Sequence, residues 1–150
     1  AAKAGARRVV GIDMDEEALE TARQNARLNK VKVGFFHQEV FNYLKQCREK
    51  FDVVVLDPPK MAREAEDLPK ARRGYHDMNA LASRVVRPGG ILVSCSCTGL
   101  VGAEEFLQIV QRASERELRT FRIAGAGPDH PVSNLYPEGR YLKVIYSLVV

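Results

Sequence analysis

Strand-length apolar runs alternate with amphipathic stretches along most of this 150-residue chain. That alternation constrains the fold most, because strand and helix in repetition build a parallel sheet with helices on both faces. An apolar run at 8–12 stops at Asp13. A helix is predicted over 16–29, with Ala18, Leu19, Ala22, Ala26 and Leu28 at helical spacing. A strand over 31–36, a helix over 41–50 and a strand over 53–56 follow. The polar stretch 60–70 reads as a loop, 75–86 as a helix that stops before Pro88-Gly89-Gly90, and 91–94 as a strand. An amphipathic helix over 103–116, a strand over 118–123, a Gly- and Pro-rich loop over 125–139 and a terminal strand over 141–149 complete the pattern.

Residues 1–6 read as the tail of a helix entering the first strand. A doubly wound nucleotide-binding fold requires a strand and a glycine-rich turn before such a helix. That strand belongs between the 8–12 and 53–56 strands, and without it two inner sheet edges stay unpaired, a costly and aggregation-prone state. The chain is therefore expected to be one partial domain, 1–150, from the carboxyl-terminal part of a longer protein, and to bind a cofactor poorly alone.

The 45% apolar composition fits one soluble domain. The apolar runs are too short to span a bilayer, and no signal segment opens the chain. Three cysteines, two of them one residue apart, form neither a disulfide framework nor a zinc pattern. No metal is expected, and a reducing cytoplasmic compartment is. A net charge of +4 permits a polyanionic partner.

Two strand ends carry the chemistry, since reactive groups gather beyond the carboxyl ends of strands in open α/β sheets. The 53–56 strand ends at Asp57-Pro58-Pro59-Lys60, whose prolines stiffen the turn and remove two backbone donors. Lys60 stands where amino-methylating enzymes often carry an aromatic residue, which argues against exocyclic amine chemistry. The 91–94 strand runs into Cys95-Ser-Cys97, two thiols pointing the same way on an extended segment. Cys47 reads as inert packing. A thiolate that adds to C6 of cytosine makes C5 nucleophilic toward a methyl sulfonium. Asp57 would supply the accompanying hydrogen bond near N3 and N4. Such catalysis needs an activated thiol and a base drawn out of its stack.

Asp13, at a strand end before a helix, suits the two hydroxyls of a nucleoside ribose; helix capping by Asp13 or Asp15 is the alternative. Glu39 suits an adenine amino group, with the Val40 backbone at the ring edge and Met14 packed on the ring; a solvated glutamate and a core methionine are the alternatives. His130 reads as a turn residue, with lining of the site as the alternative.

Taken together the chain resembles the class I S-adenosylmethionine-dependent methyltransferases that make 5-methylcytidine in bacterial large-subunit (23S) ribosomal RNA and carry an amino-terminal PUA domain. The resemblance rests on Val10-Gly-Ile-Asp13, Asn25-Ala-Arg-Leu-Asn29, Val54-Val-Leu-Asp-Pro-Pro-Lys60, Arg73-Gly-Tyr75 with Asn79, Ser94-Cys-Ser-Cys97, Asp129-His-Pro131, and Tyr136-Pro-Glu138 with Tyr141-Leu-Lys143. It implies a Rossmann-like sheet, S-adenosylmethionine as cofactor, an rRNA partner and a possible homodimer. It also implies that Asp13, Met14, Glu39, Val40 and Asp57 surround the cofactor and that Pro58, Pro59, Lys60 and Arg73 meet the RNA. By the same resemblance Asp57 would hold the base and one of Cys95 and Cys97 would attack C6, with Cys97 favoured. Glu39 departs from the family's usual Asp. The Asp-Pro-Pro turn lacks the second cysteine of many RNA cytosine-C5 enzymes, so the C5 base is unassigned. The PUA domain, first strand and glycine-rich loop are expected before Ala1. A guanine methyltransferase of the same fold, a non-catalytic RNA-binding module and a redox Cys-X-Cys are the rival readings.

Overall fold

The computed structural model describes residues 1–150 as two compact units, Ala1–Cys47 and Arg48–Val150. In the first, a 3₁₀ turn at Ala2–Ala4 precedes β1 (Val10–Asp13), α1 (Glu16–Leu28), β2 (Gly34–His37) and α2 (Val40–Gln46). β1 and β2 pair in parallel, from Val10↔Gly34 to Asp13↔His37. Asp15 caps α1 by accepting from the Ala18 amide, and Glu16 and Glu17 complement the helix dipole. Leu19 is buried, but Leu28 is 79% exposed, so the apolar face stops short of it. β2 starts later than the expected 31 because Val31 is still closing α1. Its amide donates to Ala26 O, while Lys30 adopts φ 54° and donates to Arg27 O. α2 likewise ends at Gln46, short of the expected 50, and Cys47 is its extended C-cap.

The second unit comprises β3 (Phe51–Leu56), α3 (Leu68–Val85), β4 (Val86–Ser96), α4 (Ala103–Ala113), β5 (Leu118–Ala124) and β6 (Lys143–Val149). The sheet order is β3-β4-β6-β5. β3 and β4 are parallel, whereas β6 runs antiparallel to both β4 and β5, so the all-parallel expectation fails at the carboxyl end. The reason lies in the connection. Residues 125–142 contain no crossover helix, only a 3₁₀ turn at Pro137–Gly139, and a chain returning without a crossover must pair antiparallel.

α3 begins two turns earlier than expected. Residues 60–70 are not all loop: a 3₁₀ turn at Ala65–Asp67 leads into α3, and Pro69 sits in its first turn, where a missing amide costs nothing. β4 is also longer than 91–94 and takes in Pro88-Gly89-Gly90. At Gly90 a Cβ would meet the Asp52 carbonyl at 2.8 Å and the Arg87 carbonyl at 2.9 Å. The strand therefore needs glycine where the β3–β4 register shifts.

α3 and α4 pack on one face of this sheet around Tyr75, Val101, Phe106, Val110 and Ile145. The rings of Tyr75 and Phe106 meet edge to face, 5.2 Å between centroids at 74°. On β3, Val53 and Val55 are exposed. Within their own sheets β1 pairs only with β2 and β3 only with β4, leaving one edge of each open. No helix is long and apolar enough to cross a membrane.

Candidate active site

In the first unit the candidate cofactor residues gather at the carboxyl ends of two adjacent parallel strands. Asp13 ends β1 opposite His37, and its carbonyl accepts from the Gln38 amide. One carboxylate oxygen of Asp13 accepts from the Asp15 amide at 2.9 Å, and the side chain is exposed. The capping role belongs to Asp15, which leaves Asp13 with acceptor capacity toward solvent. Met14 is 62% exposed and so fills no core; its carbonyl lies 2.8 Å from His37 Nε2. Glu39 is the N-cap of α2, its two oxygens accepting from the Phe41 and Asn42 amides at 2.9 and 2.8 Å. Each oxygen keeps a second lone pair, so the cap and a further hydrogen bond are compatible. Val40 opens α2, half-buried.

In the second unit the two candidate catalytic segments lie on neighbouring strands. The β3–β4 register ends at Leu56↔Ser94, and Asp57 and Cys95 follow it on adjoining strand ends. Asp57 is exposed, Pro58 is buried, and Pro59 and Lys60 are exposed. Arg73 is exposed on α3.

The two cysteines differ. Cys95 is buried, and that burial, reinforced by the negative charge of Asp57, pushes its thiol up to about 11. At neutral pH it is a protonated thiol. Cys97 is half-buried, just past the end of β4.

Thr98 joins the two segments. Fully buried, its Oγ1 accepts from the Met61 amide at 3.0 Å, directly after the Asp57–Lys60 turn, and lies 2.7 Å from the Tyr75 hydroxyl. Ser96 Oγ donates to the Tyr75 hydroxyl at 3.0 Å and accepts from the Thr98 amide at 3.3 Å. Both neighbours of Cys97 are thereby fixed from α3. Asn79 extends the support, accepting from Ser94 Oγ at 2.5 Å and donating to the Tyr75 carbonyl at 2.8 Å. Lys143, on β6, donates to the Thr98 and Val101 carbonyls at 2.5 and 2.7 Å.

Residue-by-residue reading gave no role to Thr98, Tyr75 or Lys143. A usable signal was parity: residues 143, 145, 147 and 149 of β6 all face inward, so a lysine in that row is buried. Thr98→Val is expected to cost about 1–3 kcal/mol, because the part-buried Met61 amide and the buried Tyr75 hydroxyl both lose a partner. Urea unfolding of the full-length protein checks it.

His130 pairs with Asp129 in an exposed turn, with its amide donating to Gly127 O. A concavity of about 490 Å³ lined by Arg7, Arg8, Arg23, Arg27 and Lys32 among others lies at the amino-terminal ends of β1 and β2, away from the strand ends that carry Asp13 and Glu39.

Comparison with known proteins places this geometry in context. The large-subunit ribosomal RNA methyltransferase I of Aeromonas salmonicida (strain A449) is 43% identical over 152 residues, covering 95% of this chain and 38% of the relative. The protein of that name from Aliivibrio fischeri (strain MJ11) is 42% identical over 159 residues, covering all of this chain and 40% of the relative. The chain thus spans about two fifths of the length of these relatives. Among solved structures, SMU.776 complexed with SAH aligns with a TM-score of 0.84 at 18% identity over 99% of this chain and 41% of the other. NSun6 from Pyrococcus horikoshii with SFG aligns at 0.68 and 20% identity over 94% of this chain and 41% of the other. At such identities the likeness is one of fold, the Rossmann-like α/β methyltransferase fold. The family described as "Methyltransferase domain" matches residues 1–126, and the chain belongs to that family.

Proposed function

We propose that this chain is the catalytic part of an S-adenosylmethionine-dependent enzyme that methylates C5 of a cytidine in large-subunit ribosomal RNA, with Cys97 as the nucleophile. One observation carries the reading. Of two thiols at the end of β4, the accessible one, Cys97, is held from both sides, while Cys95 is buried and protonated. A strand end built to present a single thiol beside a rigid carboxylate turn suits addition to an electron-poor pyrimidine carbon. The relatives named as large-subunit rRNA methyltransferases support the substrate class, and an rRNA substrate implies action in the cytoplasm.

The residues of the first unit fit the cofactor. Asp13 retains acceptor capacity for ribose hydroxyls, Met14 offers exposed apolar surface to a ring, and Glu39 and the Val40 backbone suit the adenine edge. S-adenosylmethionine, when bound, supplies an electrophilic methyl group. The Cys97 thiolate adds to C6 of the extruded cytosine, and the C5–C6 π electrons move toward C5, which becomes nucleophilic. Asp57 hydrogen-bonds the N3–N4 edge, where charge accumulates. After methylation a base takes the C5 proton, the electron pair re-forms the C5–C6 double bond, and the thiolate departs. Pro59, Lys60 and Arg73 supply the RNA-facing surface, whereas Pro58, expected to meet the RNA as well, is buried and serves only to stiffen the turn behind them. A PUA domain, a first strand and a glycine-rich loop elsewhere in the full-length protein would complete the enzyme, and the open edges of β1 and β3 support the added strand.

The test incubates the full-length protein with labelled S-adenosylmethionine and unmodified ribosomal RNA, followed by nucleoside mass spectrometry. Label is expected in 5-methylcytidine. Label in a methylguanosine would reduce the cysteines to packing, and no label would favour a binding module.

A further inference from the structure

Like charges gather at the amino-terminal ends of β1 and β2. Arg7 and Arg8 lead into β1, Lys32 leads into β2, and Arg23 and Arg27 stand in the second half of α1. Together they line the concavity of about 490 Å³, which has a floor of valine and phenylalanine and no acidic lining residue. Cations brought this close repel one another, and an anion held among them relieves the repulsion. Glu20 pairs with Arg27 at 2.9 Å and with Arg23 at 3.5 Å, yet the cluster keeps an excess of positive charge. The other carboxylates of α1 and its flank, Asp13, Asp15, Glu16 and Glu17, stand at the opposite end of the unit. Complementing the helix dipole accounts for Arg27 in the last turn of α1, but not for Arg7, Arg8 or Lys32, which belong to no helix.

We propose that this concavity is a second RNA-binding surface, which holds phosphodiester groups of the ribosomal RNA without reading its sequence. The proposal rests on the reading that ribosomal RNA is the substrate, and adds where a further part of it docks. Charge complementarity argues for a polyanion, and guanidinium groups grip phosphate oxygens in pairs. A small free anion would leave the apolar floor unused. A nucleotide chain uses both, with its phosphates on the cationic rim and its sugar or base faces over the floor beside Phe35 and Phe36.

The test measures binding of the full-length protein to protein-free 23S ribosomal RNA from about 50 to 200 mM salt. Arg7 and Lys32 are both exposed. Arg7→Gln with Lys32→Gln is expected to weaken binding about tenfold at low salt and to flatten the log–log salt slope by about 1–2. Arg7→Glu with Lys32→Glu should weaken it further. Turnover at saturating RNA should stay near wild type while KM for RNA rises, since neither residue belongs to the proposed cofactor or thiol segments. Arg112→Gln with Arg119→Gln removes the same charge from exposed positions of the second unit and is expected to bind within about twofold of the wild type. An equal loss in that control would overturn the proposal, because it marks an effect of bulk charge. Unchanged affinity and slope in the Arg7 and Lys32 variants would overturn it too, the result expected if another part of the protein or an acidic partner covers the concavity. The labelled nucleoside made by the wild type tests the earlier reading separately. 5-Methylcytidine with an unchanged slope overturns this surface alone; a methylguanosine with a flattened slope overturns that reading alone.

Discussion

Cys97→Ala in the full-length protein is expected to cut 5-methylcytidine formation by at least about 10⁴-fold, since loss of a covalent nucleophile removes the whole addition pathway. Binding of S-adenosylhomocysteine, measured by calorimetry, should not change, because Cys97 is not among the proposed cofactor residues Asp13, Met14, Glu39, Val40 and Asp57. Cys95→Ala should behave differently. A buried thiol pushed up to about 11 is almost wholly protonated at neutral pH, which disfavours it as the nucleophile. Single-turnover rates of the two variants with RNA carrying one target separate the roles. Comparable losses in both would mean that the strand end acts as a unit, and near-wild-type turnover by Cys97→Ala would sink the assignment.

Phe106→Ala is expected to remove about 3–5 kcal/mol of stability, read as a fall in the urea midpoint. The ring is fully buried among Tyr75, Val101, Val110 and Ile145, each itself nearly or fully inaccessible, so the lining has little freedom to collapse. The effect should reach the site. Tyr75 rests its ring on Phe106 and its hydroxyl on Thr98 and Ser96, so a cavity on one side loosens the support of Cys97 on the other. Partial turnover of the still-folded variant is the accompanying expectation. A loss under about 1 kcal/mol would mean that the helices close over the gap.

Much of this was legible in the sequence. Proline pairs, glycine pairs and strand ends announce themselves locally, so the Asp57 turn and the Cys95–Cys97 segment could be placed without coordinates. The amino-terminal turn of α3 was hidden because Pro69 reads equally well as the end of a loop and as the start of a helix. Glu39 as a helix cap was missed since capping residues are usually shorter side chains. The antiparallel β6 depends on what the 125–142 connection fails to contain, which composition alone does not reveal. The Thr98–Tyr75–Lys143 cluster joins residues 23 and 45 positions apart, and only tertiary packing brings them together.

Thr98 sets a limit on how these two motifs can diverge. Serine would keep its hydroxyl but lose a methyl from a sealed core; valine would keep the shape but strand an amide. Neither exchange is silent, and each is felt on both strand ends at once. The proline turn and the thiol strand are thus tied through one buried side chain, and a change there disturbs both ends together.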